Sequence, residues 1–298
     1  MKNLIFILLL SSTLILPFIS VKSQTIDNYI YSIKDSLNRG PIYKRSYIPI
    51  SESEFISLLD YMPSFGLGGD TYFLTGFPTN DEISNSTSDV KFQVSIRQRL
   101  TKSDLPLNII PIFVYNQKSF WSIYASKSSR PFKDNNYNPA VGFKKFIFKD
   151  DRLIGSFSLF AEHESNGRDS IDSRSWNYFS LSGNYFFNPR LNLQLRVWIP
   201  FEISDNKDLL DYRGIGFLSL NYLNRSEKLR LSVILNPSNS LGRVNLTVEV
   251  NFKLQRKINQ YIFFQFFNGY AEGLLNYRQH TSMIRAGICI KPNFQTNY

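Results

Sequence analysis

The feature that most constrains the fold is a regular alternation of apolar and polar residues from about residue 88 onward. In the stretch 244–254, every second residue is Val, Leu or Phe, and the residues between them are Asn, Thr, Glu and Lys. Successive side chains of a strand point to opposite faces, so this stretch predicts a strand with one apolar face. About twelve such segments follow one another, beginning near residues 90, 107, 119, 138, 154, 175, 190, 212, 228, 243, 258 and 280.

The connections between these segments alternate in length. FNPR and NRSEK are short, whereas NGRDSIDSR, EISDNKDLLD and SKSSRPFKDNN are longer. Short turns at one end and longer loops at the other are typical of outer-membrane barrels. A soluble β-sandwich is the alternative, but an apolar row on nearly every strand would make it insoluble. The sequence therefore predicts an all-β fold, a 12-stranded antiparallel transmembrane β-barrel.

Composition supports strands that face lipid on one side. Aromatic residues make up 15% of the chain, with 26 Phe and 17 Tyr, whereas mean hydropathy is −0.21. No segment after residue 24 has the roughly 18 uninterrupted apolar residues of a membrane-spanning helix. Membrane crossing is thus assigned to strands with interleaved polar residues.

The chain divides into three parts. Residues 1–23 have a lysine, an apolar run and a small-residue exit, which predict a secretory signal peptide; an uncleaved anchor is the alternative. Residues 24–88 form a partly irregular N-terminal segment, in which DNYIYSIKDSLNRG reads as a short helix or plug. Residues 89–298 form the predicted barrel.

Net charge and cysteine content limit the possible partners and disulfide bonds of the chain. The net charge is +10, yet the sequence has no dense Lys/Arg cluster and no nucleic-acid motif, so no nucleic-acid partner is expected. The basic residues suit either anionic lipid headgroups or solvated loops. Cys289 is the single cysteine, which excludes an intrachain disulfide, and we interpret it as an inert wall residue.

Three polar residues interrupt the apolar faces of two neighbouring strands. His163 and Ser165 share a face with Phe157 and Leu159, and Asn177 lies on the corresponding face of the next strand. Polar groups that face hydrocarbon are costly unless they pair. Serine, histidine and asparagine in series match the nucleophile, base and orienting group of a hydrolase triad. Interfacial hydrogen bonds at the barrel rim are the alternative.

The residues around this triad carry a family resemblance. His163, Ser165, Asn166, Gly167 and Arg168, followed at a fixed distance by Ser-Arg-Ser-Trp-Asn at 173–177, resemble the signature of outer membrane phospholipase A. Further segments resemble the family in the same order: YNQKSFW, SSRPFKDNNYNP, SDNKD and NGYAEGLLNY. The resemblance covers about residue 88 to the end.

This resemblance implies a twelve-stranded barrel of the bacterial outer membrane that works as a calcium-dependent homodimer. The family hydrolyses acyl esters of phospholipids and lysophospholipids, with A1 and A2 activity. By position, Ser165 would be the nucleophile, His163 the base and Asn177 the orienting group. The amide of Gly167 would donate to the oxyanion.

The resemblance also implies a Ca²⁺ site across the dimer interface. Its ligands would be the partner subunit's Ser129, the Arg168 carbonyl and the Ser173 hydroxyl, and Asp205 matches a further calcium position. Hard oxygen ligands of this kind suit calcium. Gln117 matches either a buried interface glutamine of the family or a lumen hydrogen-bonding group.

We therefore expect an outer-membrane phospholipase whose partners are membrane phospholipids and a second copy of itself. The alternative is a non-enzymatic barrel, either a pore or an adhesion scaffold. Inward residues such as Phe160, Tyr178, Arg196 and Trp198 favour a filled lumen over an open pore. A barrel that transfers acyl groups to an acceptor is a further alternative.

Overall fold

The computed structural model describes residues 48–101, 106–124, 132–238, 242–255 and 258–292. The predicted signal peptide 1–23 and the candidate helix 27–40 lie outside these residues. The strands, in chain order, are β1 (Ile48–Pro49), β2 (Phe65–Leu67), β3 (Thr71–Pro78), β4 (Asp89–Arg99), β5 (Ile109–Trp121), β6 (Phe132–Phe148), β7 (Arg152–Ser165), β8 (Ser175–Asn188), β9 (Leu191–Glu202), β10 (Gly216–Leu223), β11 (Leu229–Pro237), β12 (Val244–Lys253), β13 (Gln260–Gly269) and β14 (Thr281–Ile290). The helices are α1 (Glu52–Tyr61) and α2 (Leu209–Arg213).

Twelve strands, β3 to β14, close into an antiparallel barrel. Each strand pairs with its neighbours in the chain, and β14 returns to pair with β3, with Met283 opposite Pro78 and Ile290 opposite Thr71. The short strands β1 and β2 add to β7 and β4 outside this ring. The prediction of a 12-stranded antiparallel barrel is confirmed. Of the two α-helices in the described part of the chain, neither combines the length and apolarity needed to span a membrane.

The barrel begins earlier than the alternation indicates, because β3 lies within 24–88. Leu74 and Tyr72 point inward and pack with Tyr261 and Phe263, while Phe73 points outward and is 44% exposed. Both faces of β3 are thus apolar, so no alternation marks it.

Strand β5 is one strand, although the pattern has starts near both 107 and 119. Its outward row changes from Phe113 to Tyr115 and Gln117, so polar residues replace the apolar face in mid-strand. That change breaks the pattern without breaking the strand.

Helix α1 covers the short-turn end of the barrel. Ser51 and Glu54 form a capping box that fixes its start. Phe55 is buried and packs on the rings of Phe146 and Phe148, at 4.5 and 5.5 Å between centroids. The remaining apolar contacts lie in one cluster with the inward side chains Ile110, Ile112, Val114, Ala140, Leu153 and Phe160.

Charged side chains fill much of the lumen. Arg285 binds both Asp89 and Glu272, at 2.8 and 2.7 Å, and Lys91 donates to Glu272 at 2.9 Å. Glu162 pairs with Arg196 across the lumen face. Most outward residues are instead apolar and exposed, as the alternation predicts, and they form the surface that faces hydrocarbon.

Candidate active site

His163 and Asn177 meet on the outer face of the β7–β8 hairpin. They are directly opposite each other in the strand register, and both are half-buried. The His163 Nδ1 to Asn177 Oδ1 distance is 2.8 Å, a hydrogen bond in which the ring N–H donates. This bond fixes the tautomer and leaves Nε2 available as a base.

Ser165 lies two residues beyond His163 on the same face, at the end of β7. Its opposite residues in the register are Tyr137 on β6 and Ser175 on β8. No hydrogen bond joins the Ser165 hydroxyl to another described residue. Residues two apart on a strand are separated by about 7 Å, a span that a serine and a histidine side chain can bridge. Catalytic contacts are often formed only once substrate binds.

Asn166 organises the loop that follows Ser165. Its side chain is almost fully buried, and its Oδ1 accepts from the amides of Arg168 at 3.3 Å and Arg174 at 3.0 Å. Its Nδ2 donates to the Asp172 carbonyl at 2.8 Å. The loop 166–174 is thereby held in one conformation, which explains the asparagine in the motif.

Gly167 occupies a left-handed conformation with φ of +65°. A Cβ atom at this position would lie 2.9 Å from Cε2 of the Tyr137 ring. Both the backbone angle and the close ring require glycine here. The residue that would supply the oxyanion amide is thus fixed beside Ser165.

Oxygen groups of two loops gather next to the triad. Asp205 Oδ2 accepts from the Ser173 hydroxyl at 3.3 Å and from the Ser175 hydroxyl at 3.0 Å. The sequence predicts Ser173 and Asp205 at this site but not Ser175. Ser175 contacts Asp205 because the loop 203–215 folds onto the β7–β8 hairpin. The described residues contain no group of three or more His, Cys, Asp or Glu side chains that could hold a metal ion. A site with one carboxylate, hydroxyls and carbonyls fits a hard cation such as Ca²⁺.

The other two expected calcium ligands are the Arg168 carbonyl and the partner subunit's Ser129. The Arg168 guanidinium donates to the Lys133 carbonyl at 2.7 Å and lies 3.4 Å from Asp172. These contacts hold the Arg168 backbone, whose carbonyl is the expected ligand, at the turn. Ser129, the ligand expected from the partner subunit, lies outside the described residues.

Gln117 faces outward, so a lumen hydrogen bond is the wrong alternative for this residue. It is opposite Val94 and Tyr137 in the register, and Val94 is 40% exposed. Its amide accepts from the Tyr115 hydroxyl at 3.2 Å and donates to the Ser119 hydroxyl at 3.3 Å. A polar patch therefore extends from the triad across the outer face of β6 and β5.

A loop–loop ion pair holds the segment that carries Asp205. Asp208 accepts from Arg278 at 2.8 and 2.9 Å, and also from the Tyr277 hydroxyl. The Arg278 hydrogen bonds lower the pKa of Asp208 to about 2. Burial and the neighbouring Asp208 raise the pKa of Tyr277 to about 12. The loop 203–215 is thus fastened to the loop between β13 and β14.

A protein-family model described as phospholipase A1 matches residues 74–290 of the chain. Phospholipase A1 of Klebsiella pneumoniae is 27% identical over 223 residues, which cover 72% of this chain and 74% of that protein. A Neisseria meningitidis relative is 27% identical over 212 residues, and the match spans 67% of this chain but about half of the relative, 54%.

Solved structures give the same fold. Outer membrane phospholipase A from Escherichia coli superposes with a TM-score of 0.68 at 21% identity, covering 78% of this chain and all of the other. A Salmonella typhi outer membrane phospholipase, solved as a dimer with bound calcium, gives a TM-score of 0.67 at 22% identity and covers 77% and 93% of the two chains.

Proposed function

The chain belongs to the phospholipase A1 family, and we propose that it hydrolyses acyl esters of phospholipids in the bacterial outer membrane. The observation that supports this most strongly is the His163–Asn177 hydrogen bond beside Ser165 on the lipid-facing surface. Catalytic side chains that face outward on the barrel would contact membrane lipid directly, whereas a soluble substrate would not collect at this surface. The substrates in this proposal are phospholipids and lysophospholipids, cleaved with A1 and A2 specificity.

In the proposed reaction, the Ser165 hydroxyl attacks the ester carbonyl carbon and its proton passes to His163 Nε2. Asn177 Oδ1 accepts from Nδ1–H and stabilises the imidazolium ring in the required orientation. The tetrahedral adduct then expels the glycerol oxygen, which takes the proton back from His163. Water repeats the sequence on the acyl-serine and releases a fatty acid.

The adduct carries a negative oxygen that must be stabilised. The Gly167 amide is the proposed donor, because the left-handed turn fixes it immediately after Ser165 and Asn166. Removing one donor of this kind costs about 10²–10³ in kcat in other hydrolases.

The lipid itself would lie against the apolar wall below the triad. Phe157, Leu159 and Phe179 are each more than 40% exposed on the outward rows that lead to His163 and Asn177. Acyl chains that contact these side chains would bring the ester, at the headgroup boundary, to the height of Ser165. The same wall would favour lipid esters over soluble esters.

Ca²⁺ is the proposed cofactor. Asp205, Ser173 and the Arg168 carbonyl would hold it, together with the partner subunit's Ser129. When bound, the ion supplies positive charge that polarises water next to the developing oxyanion. The partner subunit's Ser129 would complete the site, so that the bound ion would join two chains. We propose a homodimer that buries the polar patch around Gln117.

A hydrolysis assay tests the proposal. Purified protein in phospholipid–detergent micelles should release fatty acid with calcium and lose this activity with a chelator. Ser165→Ala should lower the rate by at least about a thousandfold. Ser158→Ala is the matched control, because Ser158 lies on the same strand but points into the lumen.

The alternatives give different results in the same experiment. A pore or an adhesion scaffold would release no fatty acid, and a pore would conduct ions in planar bilayers. An acyltransferase would move the acyl group to an acceptor lipid instead of water. Either result, or full activity of Ser165→Ala with the barrel intact, would refute the proposal.

A further inference from the structure

Glu164 lies between His163 and Ser165 in the sequence, and its side chain points into the lumen, 4% exposed. Trp176, opposite Glu164 in the register, is fully buried and donates from Nε1 to Glu164 Oε2 at 3.0 Å. Trp176 directly precedes Asn177. This lumen-side bond therefore joins the two strands that carry the triad on their outer faces.

Arg213, at the end of α2, approaches the same carboxylate. Its Nη2 lies 3.1 Å from Glu164 Oε1 and 2.8 Å from Oε2. The guanidinium also stacks over the rings of Trp176 and Trp198, at 5.4 and 5.7 Å from their centroids. Within the described residues, Arg213 forms an ion pair with Glu164 and with no other carboxylate.

Arg213 belongs to the loop 203–215, which also carries Asp205. At its start, Asp205 accepts from Ser173 and Ser175, and Asn206 Nδ2 donates to the Ser175 carbonyl at 2.9 Å. At its end, Arg213 binds Glu164 inside the barrel. The loop is thus attached to the catalytic hairpin at both ends, on the outer rim and on the lumen side.

The inner attachment is a buried ion pair, with side-chain exposures of 15% for Arg213 and 5% for Glu164. Removing one partner of such a pair leaves an uncompensated charge in a poorly solvated place. Without Glu164, the end of the loop would be driven to move so that the guanidinium reaches water. Asp205, on the same short loop, would move with it.

We propose that Glu164 and Arg213 are positioning residues, which set the position of the Asp205 loop relative to His163 and Ser165 and thereby set the affinity for Ca²⁺. This inference rests on the proposed function for the calcium site. The residues touch neither substrate nor ion. They act through Trp176 on the strand pairing and through α2 on Asp205.

Glu164→Gln is the test variant, because the amide keeps an oxygen for Trp176 Nε1 but loses the charge that binds Arg213. Glu162→Gln is the matched control. Glu162 is on the same strand and the same inward face, 3% exposed, and is also ion-paired, but its partner Arg196 is on β9 and not in the loop. A general effect of losing a buried carboxylate would appear in both variants.

Two readouts are compared for the full chain in detergent: calcium affinity by isothermal titration, and the calcium concentration that gives half-maximal hydrolysis. Groups that orient metal ligands typically contribute about 10- to 100-fold to metal affinity. We therefore expect Glu164→Gln to weaken calcium binding at least about tenfold in both readouts. Glu162→Gln should bind calcium as the wild type does.

The double variant Glu164→Gln/Arg213→Gln removes both charges and keeps the test decisive if the single variant fails to fold. It should weaken calcium binding by less than the single variant does, because the inner attachment is lost but no unpaired guanidinium drives the loop away. Wild-type calcium affinity in either variant, or an equal loss in Glu162→Gln, would overturn the inference. If wild-type protein binds calcium but releases no fatty acid, the proposed function fails while the coupling remains measurable by titration.

Discussion

Gly167→Ala is the substitution for which the structure gives the most definite expectation. Gly167 has φ of +65°, where an L-residue costs about 1–2 kcal/mol. The new Cβ would also lie 2.9 Å from the Tyr137 ring, closer than carbon atoms pack without movement. We expect the loop to relax, which would turn the Gly167 amide, the proposed oxyanion donor, away from the oxyanion.

The size of the effect has two bounds. If the loop keeps its conformation only part of the time, a strain of about 1–2 kcal/mol lowers kcat by about 5- to 30-fold. If the amide donor is lost altogether, the fall is about 100- to 1000-fold. Thermal unfolding of the barrel should change little, because Gly167 is an exposed loop residue outside the strand ladder.

The assay is kcat for fatty acid release from mixed micelles at saturating calcium. Gly183→Ala is the matched control: its added Cβ meets no atom within 4 Å, and its backbone is ordinary strand. The control should keep the wild-type rate. A Gly167→Ala protein with more than about a third of the wild-type kcat would refute the reasoning, because even the smaller bound predicts a greater loss.

Three more predictions concern the proposed orienting residue Asn177, the Asp208–Arg278 ion pair and helix α1. Asn177→Ala removes the acceptor 2.8 Å from His163 Nδ1, and kcat should fall about 10- to 100-fold because the lost bond is charge-assisted; an unchanged kcat would contradict this. The pKa of Asp208 is lowered to about 2, so its bond to Arg278 stabilises the fold fully above pH 3.8, and this stabilisation is lost as the pH falls toward about 2. In Asp208→Asn the melting temperature should therefore depend less on pH over this window. A pH dependence equal to that of the wild type would contradict this. Phe55→Ala should destabilise the barrel by about 3–5 kcal/mol in denaturant unfolding, because Phe55 is buried against Phe146 and Phe148; a loss below about 1 kcal/mol would mean that α1 contributes little to the stability of the barrel.

Period two predicts correctly which residues of the β7–β8 hairpin face outward and which face the lumen. His163, Ser165 and Asn177 alternate in step with apolar residues, which predicts that they point outward. The structure has His163 opposite Asn177 on the outer face of the hairpin. The same reasoning missed β3, whose inward residues Leu74 and Tyr72 are apolar because they pack on β13. Alternation identifies a strand only where its two faces meet different environments.

Contacts made by loops could not be predicted in the same way. Ser175 and Glu164 look like ordinary polar residues of a strand, and their contacts with Asp205 and Arg213 depend on how the loop 203–215 folds back. The alternation of apolar and polar residues does not predict how a loop folds back. Helix α1, by contrast, had a usable signal: Ser51 followed three residues later by Glu54 is the pattern of a capping box.

The central claim is that Ser165 is a nucleophile on the lipid-facing surface, and covalent labelling tests it most directly. The full chain in detergent, with calcium, would be treated with a long-chain alkyl sulfonyl fluoride and analysed by mass spectrometry of the intact protein and its peptides. We predict one adduct per chain, on Ser165, and labelling that is about 10- to 100-fold slower in Asn177→Ala. No adduct, or an adduct on another serine while fatty acid release continues, would contradict the account.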